Sequence, residues 1–217
     1  AAPQPASAER EAPLSPHREF VCLSTSGSSG QPRLVARSAG AVAANTRHVA
    51  AALDVKPADR FLAVVPFWHA NGFSNCLLTP LSRGASVVTV DRFLPRQVLE
   101  TVVREWITVV IASPFVYKAF AQVLGGKAGG STDGGLDGVR SWISSGAALP
   151  RELEGRLREL GIPVRQLYGS SETGTLCLSG VEPAEPGCVG RPLPGVDIRL
   201  VDDDGSPAAP GTAGEVQ

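Results

Sequence analysis

The sequence predicts an α/β fold, in which a mostly parallel sheet is flanked by helices on both faces. Short apolar runs of strand length recur along the chain, and segments of helical periodicity separate them. Neighbouring parallel strands must be joined by crossover connections, which are usually helices, and uninterrupted apolar runs are typical of strands covered on both faces. With 217 residues and 43% hydrophobic composition, the chain can bury a substantial core.

Each element follows from its pattern in chain order. The apolar runs FVCLS, FLAVV, ASVVTV and TVVIA predict strands, and so do VRSWISS and PVRQLY further on. Amphipathic stretches between them predict the helices. The predicted strands are 20–24, 61–65, 85–90, 108–112, 139–145 and 163–168, and the predicted helices are 38–53, 73–82, 95–105 and 150–160.

Changes in composition predict three parts of the chain. Residues 1–18 are rich in Ala, Pro and Ser and are expected to form a mobile leader or linker, and residues 19–180 form the α/β core. Residues 181–217 are expected to begin a smaller β-rich subdomain that the chain cuts short. There, alternation in VDIRLV followed by DDDG predicts a hairpin. The glycine-dense segment 125–138 is expected to be a surface loop.

Charge and cysteine usage exclude several function classes. Twenty basic and 21 acidic residues are interspersed, which argues against a nucleic-acid partner. We expect no membrane insertion and a cytoplasmic location, because the sequence shows neither a long apolar span nor a signal pattern. The four cysteines form no CxxC pair, so we expect reduced thiols that act as small apolar residues: Cys22, Cys76, Cys177 and Cys188.

The segment TSGSSGQPRL, from Thr25 to Leu34, follows the first predicted strand. Successive small residues can direct backbone N–H groups and hydroxyls at one anion, and Arg33 could supply a cation. The segment lacks the GxxxxGK[ST] pattern of a Walker A loop. For Ser and Gly alone, a polar hairpin turn would be the ordinary interpretation.

Three further segments follow predicted strands, at the edge where parallel sheets bind ligands. In LYGSSETG, Glu172 could hold a magnesium ion that bridges phosphate oxygens. In WISSGAALP, small residues offer a flat surface for a planar ring. In PFWHANG, His69 stands beside two aromatic residues, although it could equally be a packed histidine.

In this order, the segments resemble the adenylate-forming (AMP-binding) superfamily, and most closely its acyl-CoA and aryl-CoA synthetases. TSGSSGQPR is similar to TSGSTGxPKG of that family, PFWHANG to PxFHxxG, SSGAALP to GGAPL, and YGSSETG to YGxTE. The similarity runs from about Phe20 to the end of the chain. It implies the central part of the N-terminal domain of such an enzyme.

The resemblance also implies roles for individual residues. It implies that Glu172 binds Mg²⁺, that Ser171 contacts the α-phosphate, and that Arg33 supplies the catalytic cation. The acid pocket or its gate would include Phe67, His69, Asn71, Phe73 and Gly146. The implied contacts to ATP or AMP are Thr25, Ser26, Gly27, Ser28, Ser29, Gly30, Gly146, Ala147, Ala148, Tyr168, Gly169, Ser170 and Ser171.

The activity that the resemblance implies has two steps. A carboxylic acid reacts with ATP to give acyl-AMP, and the acyl group then passes to a thiol of coenzyme A or of a carrier protein's phosphopantetheine. Amino-acid-activating relatives place an aspartate in the segment that corresponds to PFWHANG. This chain has none there, so we expect a non-amino acid, aliphatic or aromatic.

Departures from the family pattern leave alternatives open. Arg33 and Leu34 replace the usual Lys-Gly, and serines replace threonines at 29 and 171. The protein could therefore convert only preformed acyl-AMP, or bind adenylates without catalysis. The chain ends before the family's ribose-binding aspartate and C-terminal domain, so we expect it not to complete efficient adenylation alone. The sequence does not indicate an oligomeric state.

Overall fold

A seven-stranded sheet forms the centre of the computed structural model, which describes residues 14–25, 33–126, 135–180 and 187–217. Its strand order is β4-β3-β5-β6-β7-β8-β9. The first five strands in that order are parallel, and β8 and β9 are antiparallel additions at one edge. The strands are β3 (Arg60–Ala63), β4 (Ser86–Thr89), β5 (Val109–Ala112), β6 (Ser141–Ser145), β7 (Val164–Ser170), β8 (Gly174–Leu178) and β9 (Arg191–Pro192).

Helices cover both faces of this sheet, as predicted. One face packs against α1 (Ala39–Ala52) and a π-helical segment (Gly72–Leu78) that continues into the short α2 (Thr79–Leu81). The other face packs against three helices and buries the second apolar cluster of the core. These helices are α3 (Pro95–Arg104), α4 (Pro114–Gly125) and α5 (Arg151–Glu159). The α/β prediction is confirmed.

Local chemistry explains where several elements begin and how they join. Helix α1 begins after Ser38, whose hydroxyl accepts a hydrogen bond from the N–H of Ala41 at 3.3 Å. On the other face, the buried Tyr117 of α4 donates its hydroxyl to the carbonyls of Val110 (3.2 Å) and Ile143 (3.0 Å). That hydroxyl, shared by two strands, fixes α4 over β5 and β6.

The first predicted strand was placed wrongly in the main sheet. The structure has β1 (Glu19–Thr25) in a separate antiparallel pair with β2 (Arg33–Ser38). Phe20 is 46% exposed, so the apolar run does not form a strand buried on both faces. Thr25 and Arg33 are partners in register, and the intervening residues 26–32 lie outside the described part of the chain.

Sequence analysis missed α4 and β8. The apolar helix α4 directly follows β5 and ends at Gly125, where the glycine-dense segment begins. The prediction of a surface loop at 125–138 falls partly on residues 127–134, which are outside the described residues, as are 1–13 of the predicted leader and 181–186. The remainder includes a short 3₁₀ turn (Leu136–Gly138).

The segment after β9 forms short antiparallel pairs. Strand β10 (Leu200–Val201) pairs with β11 (Glu215–Val216), and a bridge joins Val201 to Pro207 around the acidic turn. In this turn the N–H of Ser206 donates to the carboxylates of Asp202 (3.0 Å) and Asp204 (2.8 Å). Across all the described residues, none of the helices combines the length and apolar character needed to span a membrane.

Candidate functional site

A cavity of about 610 Å³ opens where the parallel strands end. Its wall includes residues at, or immediately after, the ends of β3, β5, β6 and β7. Because the carboxyl ends of parallel strands meet at one edge, segments far apart in sequence converge here. These lining residues are Val64, Val65, Pro66, Ser113, Ser145, Gly146, Gly169, Ser170 and Ser171.

The cavity brings together part of the predicted site. Ser26, Gly27, Ser28, Ser29 and Gly30 lie outside the described residues. The predicted residues that do not line the cavity are Arg33, Phe67, Phe73, Ala147, Ala148, Tyr168 and Glu172. Those that line it are Thr25, His69, Asn71, Gly146, Gly169, Ser170 and Ser171.

The turn between β7 and β8 carries the predicted Ser171 and Glu172. The hydroxyls of Ser170 and Thr173 lie 3.1 Å apart, and each accepts a hydrogen bond from the backbone N–H of the other residue at 3.2 Å. At Gly169 there is no room for a side chain, since a Cβ would lie 2.0 Å from the carbonyl oxygen of Gly174. The turn is therefore held tightly at its base.

Glu172 stands at the exposed tip of this turn, at the rim of the cavity. The pKa of its carboxyl is lowered by a hydrogen bond from its own backbone N–H, by the Ser170 side chain and by the positive charge of Arg33. Arg33 is the first residue of β2, and Thr25 at the end of β1 donates its hydroxyl to the Arg33 carbonyl at 3.5 Å. An exposed carboxylate therefore stands beside the cavity, and the charge of Arg33 contributes to keeping it ionised.

The segment 66–72 bends sharply to present His69. Gly72 fits only without a side chain, because a Cβ would lie 2.2 Å from the carbonyl oxygen of Pro66. His69 is exposed in the cavity rather than packed in the core, and its ring centroid lies 6.2 Å from that of Trp68. Phe73 instead packs against Phe20 of the β1–β2 hairpin, at 6.3 Å between centroids.

Sequence analysis missed a buried polar wall of the cavity. Asn45 clamps Thr175, donating to its carbonyl at 2.8 Å and accepting from its N–H at 3.2 Å. Asn75 contacts the Thr175 hydroxyl and donates to Asn71 at 2.9 Å, and Arg37 completes the wall from β2. The available signal was polar residues at positions that face the sheet, such as Asn45 one helical turn before the buried Val49.

Another part of the wall is apolar and aromatic. Phe93, after β4, stacks in a tilted arrangement on Phe115, with 5.9 Å between ring centroids. Val65 and Val116 also line the cavity. Phe115 is 70% exposed, so this wall presents its aromatic surface outward. The cavity therefore combines an aromatic side with a polar side that contains a buried cation.

The described part of the chain contains no cluster of three or more metal-ligating His, Cys, Asp or Glu side chains. The single exposed carboxylate of Glu172 nevertheless fits Mg²⁺, which typically binds one or two carboxylates and completes its coordination with water and phosphate oxygens. The donor set thus suits a metal that arrives with a phosphate ligand.

Comparison with known proteins finds a matching family and several similar ligases. The AMP-binding enzyme family matches residues 1–217. Indoleacetate–CoA ligase of Aromatoleum aromaticum is 28% identical over 211 residues, covering 95% of this chain and 40% of that protein. Feruloyl-CoA synthase of an Amycolatopsis species is 32% identical over 201 residues, covering 90% of this chain and 40% of that protein. The chain thus spans about 40% of the length of these relatives.

Solved structures agree on the fold. ATP-bound MatB from Rhodopseudomonas palustris superposes with a TM-score of 0.84 at 23% identity, over 94% of this chain and 40% of that one. The Bacillus subtilis o-succinylbenzoate coenzyme A synthetase, in complex with ATP and magnesium ion, gives 0.81 at 25% identity, over 94% and 41%. The family match extends over every residue of the sequence. The chain therefore belongs to the AMP-binding enzyme family.

Proposed function

We propose that this chain forms the nucleotide-binding core of an ATP-dependent acid–thiol ligase that acts on a non-amino carboxylic acid. One observation carries the proposal: hydroxyl-bearing and glycine residues from separate segments line one cavity at the carboxyl ends of the strands, with an ionised Glu172 at its rim. Relatives that are 28–32% identical to this chain are CoA ligases of aromatic and other acids.

In the first step, an oxygen of the substrate carboxylate attacks the α-phosphorus of ATP. The bond from that phosphorus to the bridging oxygen breaks, and pyrophosphate leaves with the electron pair. In this proposal Ser171, and Thr25 once its hydroxyl turns from the Arg33 carbonyl, would donate hydrogen bonds to phosphate oxygens, and Arg33 would neutralise charge beside them. Mg²⁺, held by Glu172, would neutralise phosphate charge when bound.

In the second step, a thiolate attacks the acyl carbon, the carbon–oxygen bond to AMP breaks, and AMP leaves. The thiol belongs to coenzyme A or to a carrier-protein phosphopantetheine. The small residues Gly146, Ala147 and Ala148, together with Tyr168, are proposed to border the adenine. Ala147, Ala148 and Tyr168 are all exposed beside the cavity, which supports a role in contact with a ligand.

The proposal of a non-amino acid follows from charge. The described residues that line the cavity include no aspartate or glutamate, and Arg37 adds a buried positive charge. An ammonium group would therefore lose its hydration without gaining an anionic partner. The proposed acid pocket comprises His69, Asn71 and Gly146, which line the cavity, together with Phe67 and Phe73, which do not. The aromatic wall at Phe93 and Phe115 favours an apolar or aromatic acid.

The test is acid-dependent exchange of pyrophosphate into ATP, on the longest natural polypeptide that contains this sequence. We expect exchange with aryl or aliphatic acids and none with amino acids. Glu172→Gln should lower it by about a hundredfold, because it removes a charge that acts on phosphate. Glu100→Gln, on the surface of α3, is the matched control and should leave exchange unchanged.

Thioester formation from supplied acyl-AMP separates the alternatives. Thioester formation without exchange would support an enzyme that performs only the second step. Tight acyl-AMP binding with neither half-reaction would support a non-catalytic adenylate-binding module. Exchange with amino acids alone would contradict the charge argument.

A further inference from the structure

Arg37 of β2 is a buried cation in the wall of the cavity. It is 7% exposed, and none of the carboxylates in the described residues lies within ion-pair distance of it. Burial lowers the pKa of its guanidinium, although an arginine remains ionised at neutral pH. Burying a charge without an opposite charge is costly, so the fold must gain something from this residue.

Arg37 binds the backbone of the β7–β8 turn on both sides of Glu172. One terminal nitrogen, Nη1, donates to the carbonyl of Ser171 at 3.4 Å, and Nη2 donates to the carbonyl of Thr173 at 3.2 Å. These contacts span 134 and 136 residues of sequence. The planar fork of the guanidinium can reach two acceptors at once, which a lysine ammonium does less well.

The turn fits closely against Arg37 and its neighbour Asn45. Gly174 has φ +77°, and a Cβ there would lie 2.9 Å from Arg37 Nη1 and 2.7 Å from Asn45 Oδ1. Asn45 in turn holds Thr175 through both its N–H and its carbonyl. The base of the turn is therefore fixed by Asn45, while Arg37 fixes the part that carries Ser171 and Glu172.

We propose that Arg37 is a positioning residue, which orients the Ser171 hydroxyl and the Glu172 carboxylate for the nucleotide phosphates and their Mg²⁺. This inference rests on the proposed function. By donating to the two carbonyls, Arg37 fixes the backbone on both sides of Glu172. It also adds a positive charge to the cavity wall, where it would attract the nucleotide phosphates. A purely structural role would require neither consequence.

Arg165 provides a matched control on β7, the strand that leads into the turn. It is half-buried on β7, its Nε donates to the Ser179 carbonyl at 2.9 Å just beyond β8, and burial lowers the pKa of its guanidinium too. Unlike Arg37, it does not line the cavity. Removing either arginine breaks a hydrogen bond from a guanidinium to a backbone carbonyl, but only one of them lies beside the turn.

The test compares Arg37→Met, Arg37→Lys and Arg165→Met in the longest natural polypeptide that contains this sequence. The readout is the Mg²⁺ concentration that gives half-maximal ATP–pyrophosphate exchange, together with the KM for ATP. Arg37→Met should raise the Mg²⁺ requirement by about tenfold, the size expected for losing hydrogen bonds from a charged group. Arg37→Lys should recover part of this loss, and Arg165→Met should stay within about twofold of the native value.

Equal Mg²⁺ requirements in Arg37→Met and Arg165→Met, with only the melting temperature lowered, would overturn the proposal. If Arg37→Met does not fold, Arg37→Lys decides by the same comparison with Arg165→Met. Amide hydrogen exchange of residues 169–175, measured without nucleotide, tests the positioning role of Arg37 independently of the proposed ligase function. If the native protein lacks pyrophosphate exchange, the proposed function fails. In that case, faster amide hydrogen exchange in this turn that is confined to the Arg37 variants supports the positioning role. Amide hydrogen exchange that is the same as in the native protein refutes it.

Discussion

Charge at single residues distinguishes the two ends of the sheet. At the carboxyl end, Arg33 and Glu172 remain exposed, and Arg37 is buried against backbone carbonyls. Their charges are therefore available to a ligand. At the amino end, the buried Asp59 forms an ion pair with Arg140, and this pair stabilises the fold. The same types of side chain thus line or border the cavity at one edge and form a buried ion pair at the other.

The cysteines divide into two pairs by burial. Cys76 is fully buried, and desolvation raises the pKa of its thiol to about 12, while burial also raises the pKa of Cys177. Cys22 and Cys188 are exposed, so the expectation that all four act as small apolar residues is wrong for these two. Cys22 is exposed because β1 belongs to the outer hairpin and not to the main sheet.

This division predicts the reactivity of the thiols. In the native chain at pH 8, Cys22 and Cys188 should react rapidly with a disulfide reagent, and Cys76 and Cys177 should react only after unfolding, because the thiolate is the reactive form. Counting released chromophore before and after adding denaturant tests this. Rapid reaction of Cys76 in the folded protein would contradict the burial.

At the scale of elements, Asp59 joins the starts of three parallel strands. Arg140, before β6, donates to both carboxylate oxygens at 2.8 and 2.6 Å, and Thr108, before β5, donates at 2.8 Å. The N–H of Lys56 adds a further bond at 2.8 Å. Burial alone would raise the pKa of Asp59, but the hydrogen bonds and the charge of Arg140 outweigh it and lower the pKa to about 2.

Asp59→Asn should therefore destabilise the chain by about 2 kcal/mol at neutral pH, a value reduced from that of a fully buried pair because Arg140 is partly exposed. Asp59 contributes stability that is fully present above its unfolded pKa of about 4 and is lost as pH falls through the folded value. The native chain should lose this contribution between about pH 4 and 2, and the variant should not. Urea unfolding across this range is the measurement.

Asp54→Asn is the control for this prediction. Asp54 is exposed, pairs only with Lys56 among the described residues, and has φ +48°, which asparagine also tolerates. Its acid profile should match that of the native chain. An unchanged acid profile in Asp59→Asn would show that the cluster contributes no pH-dependent stability.

At the scale of the whole molecule, the sequence predicted the main sheet because buried parallel strands leave continuous apolar runs. The run at 108–112 corresponds to β5, all four residues of which are buried. The same reasoning placed the first strand wrongly in the main sheet, since a short apolar run alone does not distinguish an exposed hairpin from a buried strand. Helix α4 was missed although Ser113 separates it from β5 and Pro114 is its first residue, because the prediction did not use proline at the first helical position as a sign of a helix start.

Cavity-lining residues were predictable where small residues or glycines follow a predicted strand, as at Gly146, Gly169 and Ser171. Cavity-lining residues were not predictable where the fold buries a type of residue that is usually exposed to solvent. Arg37 and Asn45 look like ordinary surface residues in sequence, and only the packing of β2 and α1 against the β7–β8 turn brings them into the cavity. The division at residue 180, the separate adenylation capacity of this chain and a cytoplasmic location stay predictions.

The most direct test of the central claim is isothermal titration of the longest natural polypeptide that contains this sequence. The protein is titrated with ATP–Mg²⁺ and, separately, with a non-hydrolysable acyl-AMP analogue. We expect saturable binding of both ligands, with the affinity for ATP dependent on Mg²⁺ and on Glu172. Binding of neither ligand would contradict an adenylate-forming site in this cavity.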